Sequence, residues 1–136
     1  MIVIDTHALV WFIQGDPRLS ERGQAAIFDA AAGGGVAIPS IMTWEVAMLL
    51  AKERLVLPLP ASDWFDQVLG VDGFFLAELT QAIGIDAGML PTIHGDPADR
   101  LMIATARTYA CPLLTADGRI LDYAANGYLK AIDARR

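Results

Sequence analysis

Short apolar runs alternate along this chain with longer stretches whose apolar residues recur every three or four positions. Runs of the first kind suit strands buried on both faces, and those of the second suit amphipathic helices. Ile2–Asp5 is a predicted strand, followed by a helix over His7–Gln14 with Thr6 placed to cap it. Asp16-Pro17 breaks that helix, and Ser20 caps a second one running to Ala32, where three successive glycines stop it. Val36–Pro39 is a second strand, and Ser40 caps a long helix over Ile41–Arg54, with Pro58 and Pro60 ending that region. Ser62 caps a helix through Leu69, Phe74–Ala77 is a short strand, and Thr80 caps a helix reaching Met89. Asp96-Pro97 opens the next helix, with proline at its favoured first position, and this helix extends to Tyr109. Leu113–Thr115, Gly118–Ala124 and Tyr128–Ile132 complete the pattern as strand, helix and strand. The alternation predicts an α/β fold, one domain over residues 1–136, with a central, mostly parallel sheet flanked by helices.

Four carboxylates interrupt this pattern. Asp5 closes the first apolar run, Glu45 lies inside Ile41–Leu50, Asp99 precedes Leu101-Met102-Ile103, and Asp117 follows Leu113–Ala116. Burying an unpaired carboxylate costs on the order of several kcal/mol or forces it to take up a proton. Each aspartate has a bland explanation. Asp5 can cap a helix, Asp99 can complete a capping box begun by Asp96, and Asp117-Gly118 can be a turn. Glu45 is harder to dismiss, because its helical neighbours Ile41, Met48 and Leu49 are all apolar. Its structural alternative is a buried ion pair with Lys52. In parallel sheets, sites form at the carboxyl ends of strands, and the predicted elements bring all four acids to that edge.

Composition narrows the choice. The chain has 136 residues, 54% hydrophobic, with a mean hydropathy of +0.41. Its longest charge-free stretch, Ala30–Trp44, is broken by glycines and Pro39, so no span of about 20 apolar residues exists to cross a membrane. The apolar surplus therefore suggests surface covered by a partner, with oligomerisation expected. The N-terminus has no signal-peptide pattern, and the lone Cys111 suits a reducing compartment, so a cytoplasmic location is expected. A net charge of −6 argues against a general nucleic-acid binder. A polyanionic partner would need bound divalent cations or a basic strip drawn from Arg18, Arg22, Lys52, Arg54, Arg100, Arg107 and Arg119. Clustered carboxylates offer oxygen ligands alone, which suits Mg²⁺ or Mn²⁺ rather than zinc. His7 and His94 have no partners at zinc spacing, and Trp11, Trp44 and Trp64 occupy helical apolar positions expected to pack inside.

Asp5-Thr6-His7-Ala8-Leu9-Val10-Trp11, Glu45, His94-Gly95-Asp96-Pro97-Ala98-Asp99-Arg100-Leu101 and Thr115-Ala116-Asp117 stand in an order and spacing that resemble the four motifs of PIN-domain ribonucleases, more narrowly of VapC-type toxins of type II toxin–antitoxin pairs. The resemblance covers essentially the whole chain. It implies a Mg²⁺-dependent endoribonuclease, with Mn²⁺ able to substitute. Asp5, Glu45, Asp99 and Asp117 match the family's catalytic, metal-holding quartet. Asp96 matches a frequent auxiliary acid, Thr6 and Thr115 match hydroxyl positions beside the site, and Arg100 matches the arginine next to the third acid. It also implies a homodimer blocked by a cognate antitoxin, and an RNA substrate for which transfer and ribosomal RNA loops are both compatible. Competing readings are weaker. A phosphatase or phosphoryl-transfer enzyme using an aspartate nucleophile needs a second aspartate where His7 stands. A phospho-accepting signalling domain needs a lysine at a late strand end, where Thr115-Ala116-Asp117 lie. A non-catalytic α/β interaction module leaves Glu45 unexplained.

Overall fold

A computed structural model describes every residue except His94, so the expectation about that histidine lies outside the described residues. The strands are β1 (Ile2–Ile4), β2 (Val36–Pro39), β3 (Phe74–Ala77), β4 (Leu113–Thr115) and β5 (Ala131–Asp133). The helices are α1 (Thr6–Gln14), α2 (Glu21–Ala32), α3 (Ile41–Ala51), α4 (Ala61–Leu69), α5 (Gln81–Met89), α6 (Pro97–Tyr109) and α7 (Gly118–Ala125). All strands pair in parallel, in the order β3-β2-β1-β4-β5. The sheet is thus entirely rather than mostly parallel.

The residue types explain the order. β1, β2 and β4 are completely buried, as expected for inner strands covered on both faces, while β3 and β5 at the edges keep half-buried positions. α6 lies across β1, β2 and β4, and α2 across β1 and β2. Leu9, Ile38, Met102, Ile103, Leu113 and Leu114 are fully buried between these layers, each worth about 1.5–3 kcal/mol of transfer free energy. Gly73 permits one close crossing. Its φ is +85°, and a Cβ there would lie 2.2 Å from the Ala31 carbonyl oxygen.

The strand order also creates the place where a site can form. From β1 the chain builds outward to β2 and β3, then crosses back to build β4 and β5 on the other side. Successive connections therefore diverge between β1 and β4, opening a crevice beyond their carboxyl ends. Asp5 follows β1 directly, and Asp117 lies two residues beyond β4.

Several expected caps are corrected. Asp5, not Thr6, caps α1, its Oδ1 accepting from Ala8 N at 3.0 Å, and Thr6 is the first helical residue. Ser40 does not cap α3; its hydroxyl accepts from Leu79 N instead. α4 starts at Ala61 after Pro60, so Ser62 lies inside it. α3 stops at Ala51, short of Arg54, where Glu53 takes a positive φ of 56°. The last strand begins at Ala131 rather than Tyr128. Ser20, Thr80 and Asp96 cap as expected.

Candidate active site

Four separate stretches of chain bring acids into a cavity of about 140 Å³ at this crevice, lined by Asp5, Glu45, Asp96, Asp99 and Asp117 together with Thr6, His7, Met102 and Arg119. Local structure explains how each acid arrives. Asp5, Asp96 and Asp117 are the N-caps of α1, α6 and α7. A capping aspartate binds backbone N–H groups at the helix start. Asp96 Oδ1 takes Ala98 N at 2.9 Å, and Asp117 Oδ1 takes Arg119 N at 2.8 Å. Capping a helix thus does not keep these three aspartates from lining the cavity, and Asp117, expected as a turn residue, is itself a cap. Glu45 and Asp99 are not caps. They project from the second turn of α3 and the first turn of α6, two helices in direct contact.

Two threonines fix two of the acids. The Thr6 hydroxyl donates to Glu45 Oε1, and the Thr115 hydroxyl donates to Asp5 Oδ2. Asp5 Oδ2 also accepts from Ala116 N at 3.3 Å, so this carboxylate spans β1 and β4 across the switch point. Asp5 is only 6% exposed. Burial pushes its carboxyl above the usual range, opposed by the hydrogen bonds from Thr115 and Ala8. That burial penalty is relieved when the carboxyl takes up a proton or when a positive charge lies beside it.

The donor set suits a hard cation. Glu45, Asp96 and Asp99 each offer an oxygen, all within 4.8 Å of one another. Among the described residues, no lysine or arginine forms an ion pair with Asp5, Glu45, Asp96 or Asp117; the alternative pair of Glu45 with Lys52 is absent. Oxygen ligands of this kind fit Mg²⁺ or Mn²⁺. Asp96, expected only as an auxiliary, stands in this trio beside Glu45 and Asp99. Asp5 and Asp117 border the same cavity from the β1 and β4 side.

The sequence matches the family model described as PIN domain across residues 2–126. This chain belongs to the PIN-domain family. A curated relative of this PIN domain is Ribonuclease VapC22 of Mycobacterium tuberculosis, 32% identical over 120 residues, covering 88% of each chain. Solved structures with the same fold include VapBC2 from Rickettsia felis bound to a DNA fragment from their promoter, with a TM-score of 0.66 and 19% identity over 98% of both chains. FitAcB from Neisseria gonorrhoeae has the same TM-score of 0.66, with 17% identity over 98% of both chains.

Other residues singled out by sequence fall elsewhere in this PIN domain. Arg100 turns away from the acids. Its guanidinium donates to the carbonyls of Ala87, Gly88, Leu90 and Ile93, fastening the end of α5 and the following loop to α6. Arg100→Ala strands these acceptors and is expected to destabilise the fold by about 2–4 kcal/mol, read as a lower urea midpoint. A midpoint equal to that of the parent would show the staple to be idle. Trp64 is buried at 1% exposure and Trp11 nearly so, but Trp44 is 53% exposed, contrary to expectation. Cys111 is buried in the core. In sequence, Arg119 stands out only as one of the seven basic residues considered for a basic strip. Its position two residues after Asp117, in the first turn of α7, is the signal that it borders the site.

Proposed function

We propose that this PIN domain is a divalent-cation-dependent endoribonuclease, using Mg²⁺ with Mn²⁺ able to substitute, and that it acts as the toxin of a type II toxin–antitoxin pair. The observation that carries the nuclease reading is the convergence of five carboxylates from four stretches of chain on one small cavity, without a basic side chain paired to Asp5, Glu45, Asp96 or Asp117 among the described residues. The family and its 32% identical relative named as a ribonuclease support it. A divalent cation at such a site lowers the pKa of water and stabilises charge developing on phosphate oxygens. Glu45, Asp99 and Asp96 would hold it, with Asp5 and Asp117 completing the anionic wall. Thr6 and Thr115 keep Glu45 and Asp5 in single orientations, so their hydrogen bonds are already made when substrate arrives. Asp5 alone among the five acids is buried, so its charge is the least screened by water, while Asp96 lies at the exposed mouth of the cavity.

The toxin role is supported by the relatives. The neighbours include a toxin–antitoxin complex from Klebsiella pneumoniae, with 18% identity and a TM-score of 0.65. A homodimer accounts for exposed apolar residues that a lone domain leaves in water: Trp44 on α3, Leu79, and Ile85 and Met89 one turn apart on α5, the last 77% exposed. An antitoxin would then cover the acidic pocket.

The test is cleavage of transfer or ribosomal RNA by the purified protein. Fragments are expected with Mn²⁺ or Mg²⁺ and none after chelation. Cutting that persists in excess chelator removes the cation, and no cutting under any condition removes the nuclease. Expression in cells is expected to arrest growth, relieved by the product of a small adjacent reading frame; growth unaffected by expression removes the toxin role.

A further inference from the structure

We propose that a single-stranded RNA segment crosses the acidic pocket along a two-sided track, its phosphates held by Arg54 on one side and Arg119 on the other. This inference rests on the endoribonuclease reading and specifies how that site meets its substrate. Two cavities adjoin the acidic one. The first, of about 310 Å³, shares Thr6 and His7 with it and is lined by Trp11, Arg18 and Arg54. The second, of about 590 Å³, shares Arg119 and continues past Asn126 to Tyr128. The two flanking cavities have no lining residue in common. The acids thus lie midway along a path from the start of α1 to the outer side of α7.

The distribution of positive charge picks out the same path. Of the seven basic residues that could form a strip, Arg107 is committed to Asp86 and the Tyr128 carbonyl, and Arg100 to the carbonyls near α5. Arg18 is paired to Asp16 at 2.7 Å and lies 5.1 Å from the centre of the Trp11 ring. It is therefore held in place but largely neutralised. Arg22, Lys52, Arg54 and Arg119 are exposed and, among the described residues, have no carboxylate partner. Arg22 and Lys52 line none of the three cavities, which leaves Arg54 and Arg119. Each lines one of the flanking cavities, on opposite sides of the acids. At physiological salt the Debye length is about 8 Å, so the net charge of −6 acts weakly on a strand in the track. Charges bordering the path dominate instead. The five carboxylates, and Asp122 beside Arg119, are opposed there by Arg54, Arg119 and the divalent cation of the proposed nuclease site, so binding along the track requires that cation. On the α7 side, the rings of Tyr123 and Tyr128 stack at 4.2 Å and 5°. Tyr128, the half-buried member, lines the same cavity as Arg119.

The experiment uses a fluorescein-labelled single-stranded RNA of about a dozen nucleotides, long enough to fill both flanks, read by anisotropy in Ca²⁺ over a range of KCl. Arg54→Ala and Arg119→Ala are each expected to weaken binding fivefold or more. Each is also expected to flatten the slope of log affinity against log salt by about 0.7, the contribution of one single-strand phosphate contact. Arg22→Ala, on the exposed face of α2, is expected to match the parent. No binding by the parent, wild-type affinity and slope in both variants, or an effect at only one of the two arginines overturns the two-sided track. Cleavage in Mn²⁺ is scored separately. A parent that cuts RNA while both variants bind normally loses the track and keeps the nuclease. A parent that binds through both arginines but never cuts keeps the track and loses the nuclease.

Discussion

Asp99→Asn is expected to reduce RNA cleavage about a thousandfold or more while leaving the fold intact. The substitution keeps size and shape but removes the charge from one corner of the Glu45, Asp96 and Asp99 trio. Charge stabilisation by a bound divalent cation is worth several kcal/mol, and each 1.36 kcal/mol is tenfold in rate, so losing most of it costs about three powers of ten. Asp99 is the informative position because the cap of α6 is carried by Asp96. Asp96→Ala or Asp117→Ala would remove a charge and a helix cap together, confounding activity with stability at about 1 kcal/mol per cap. The measurement is the cleavage rate in Mn²⁺ beside far-UV circular dichroism and a melting curve. An Asp99→Asn variant that folds normally and cuts as fast as the parent sinks the assignment of the metal site.

Asp5→Asn is expected to abolish cleavage to a similar degree while making the cation-free protein more stable at neutral pH. The sign follows from the direction of its shift. Burial raises the Asp5 carboxyl above its ordinary value of 3.8, so the folded state favours the protonated form. The stability Asp5 contributes is full below 3.8 and is lost as pH rises through its raised value. Asparagine does not titrate, so the variant escapes that pH-dependent loss. Its Oδ1 still accepts from Ala8 N and its Nδ2 can donate to the Thr115 hydroxyl, at the expense of the weak 3.3 Å contact from Ala116 N. With cations chelated, its melting temperature is expected to gain on the parent's as pH is raised from below 3.8 to neutrality. Adding Mn²⁺ should reverse the order, stabilising the parent and leaving the variant nearly unmoved. A margin that does not grow as pH rises from below 3.8 to neutrality, or a variant that Mn²⁺ stabilises equally, contradicts the account of Asp5 as a buried charge awaiting a cation. The inverse relation between stability and function is expected wherever a site is preorganised at the expense of the fold.

Much of the fold is legible locally. Inner strands read as unbroken apolar runs because helices cover both sheet faces, and Ser20, Thr80 and Asp96 reveal helix starts because capping is a contact between near neighbours. The failures share one cause. Ser40 has the right residue type for a cap, but its hydroxyl is claimed by Leu79 N, 39 positions away. α3 is apolar on every side, so its periodicity cannot say which side faces the core, and Trp44 lies outside where its residue type suggests the interior. Arg100 sits in the most specific motif of the chain, yet its guanidinium reaches carbonyls seven to thirteen residues back rather than the acids beside it.

By itself, the sequence determined the alternation of strands and helices, the family resemblance, and the presence of carboxylates that an apolar setting cannot hold uncompensated. Those are properties of residue type and spacing, which short-range chemistry fixes. Tertiary structure alone decided that the acids meet at the divergence between β1 and β4, that Asp96 joins Glu45 and Asp99, and which arginines remain exposed beside them. Each of these depends on contacts between residues far apart in the chain. The partner that claims a hydroxyl, a carboxylate or a guanidinium is set by proximity in the fold, and residue type specifies only what such a group is able to bind.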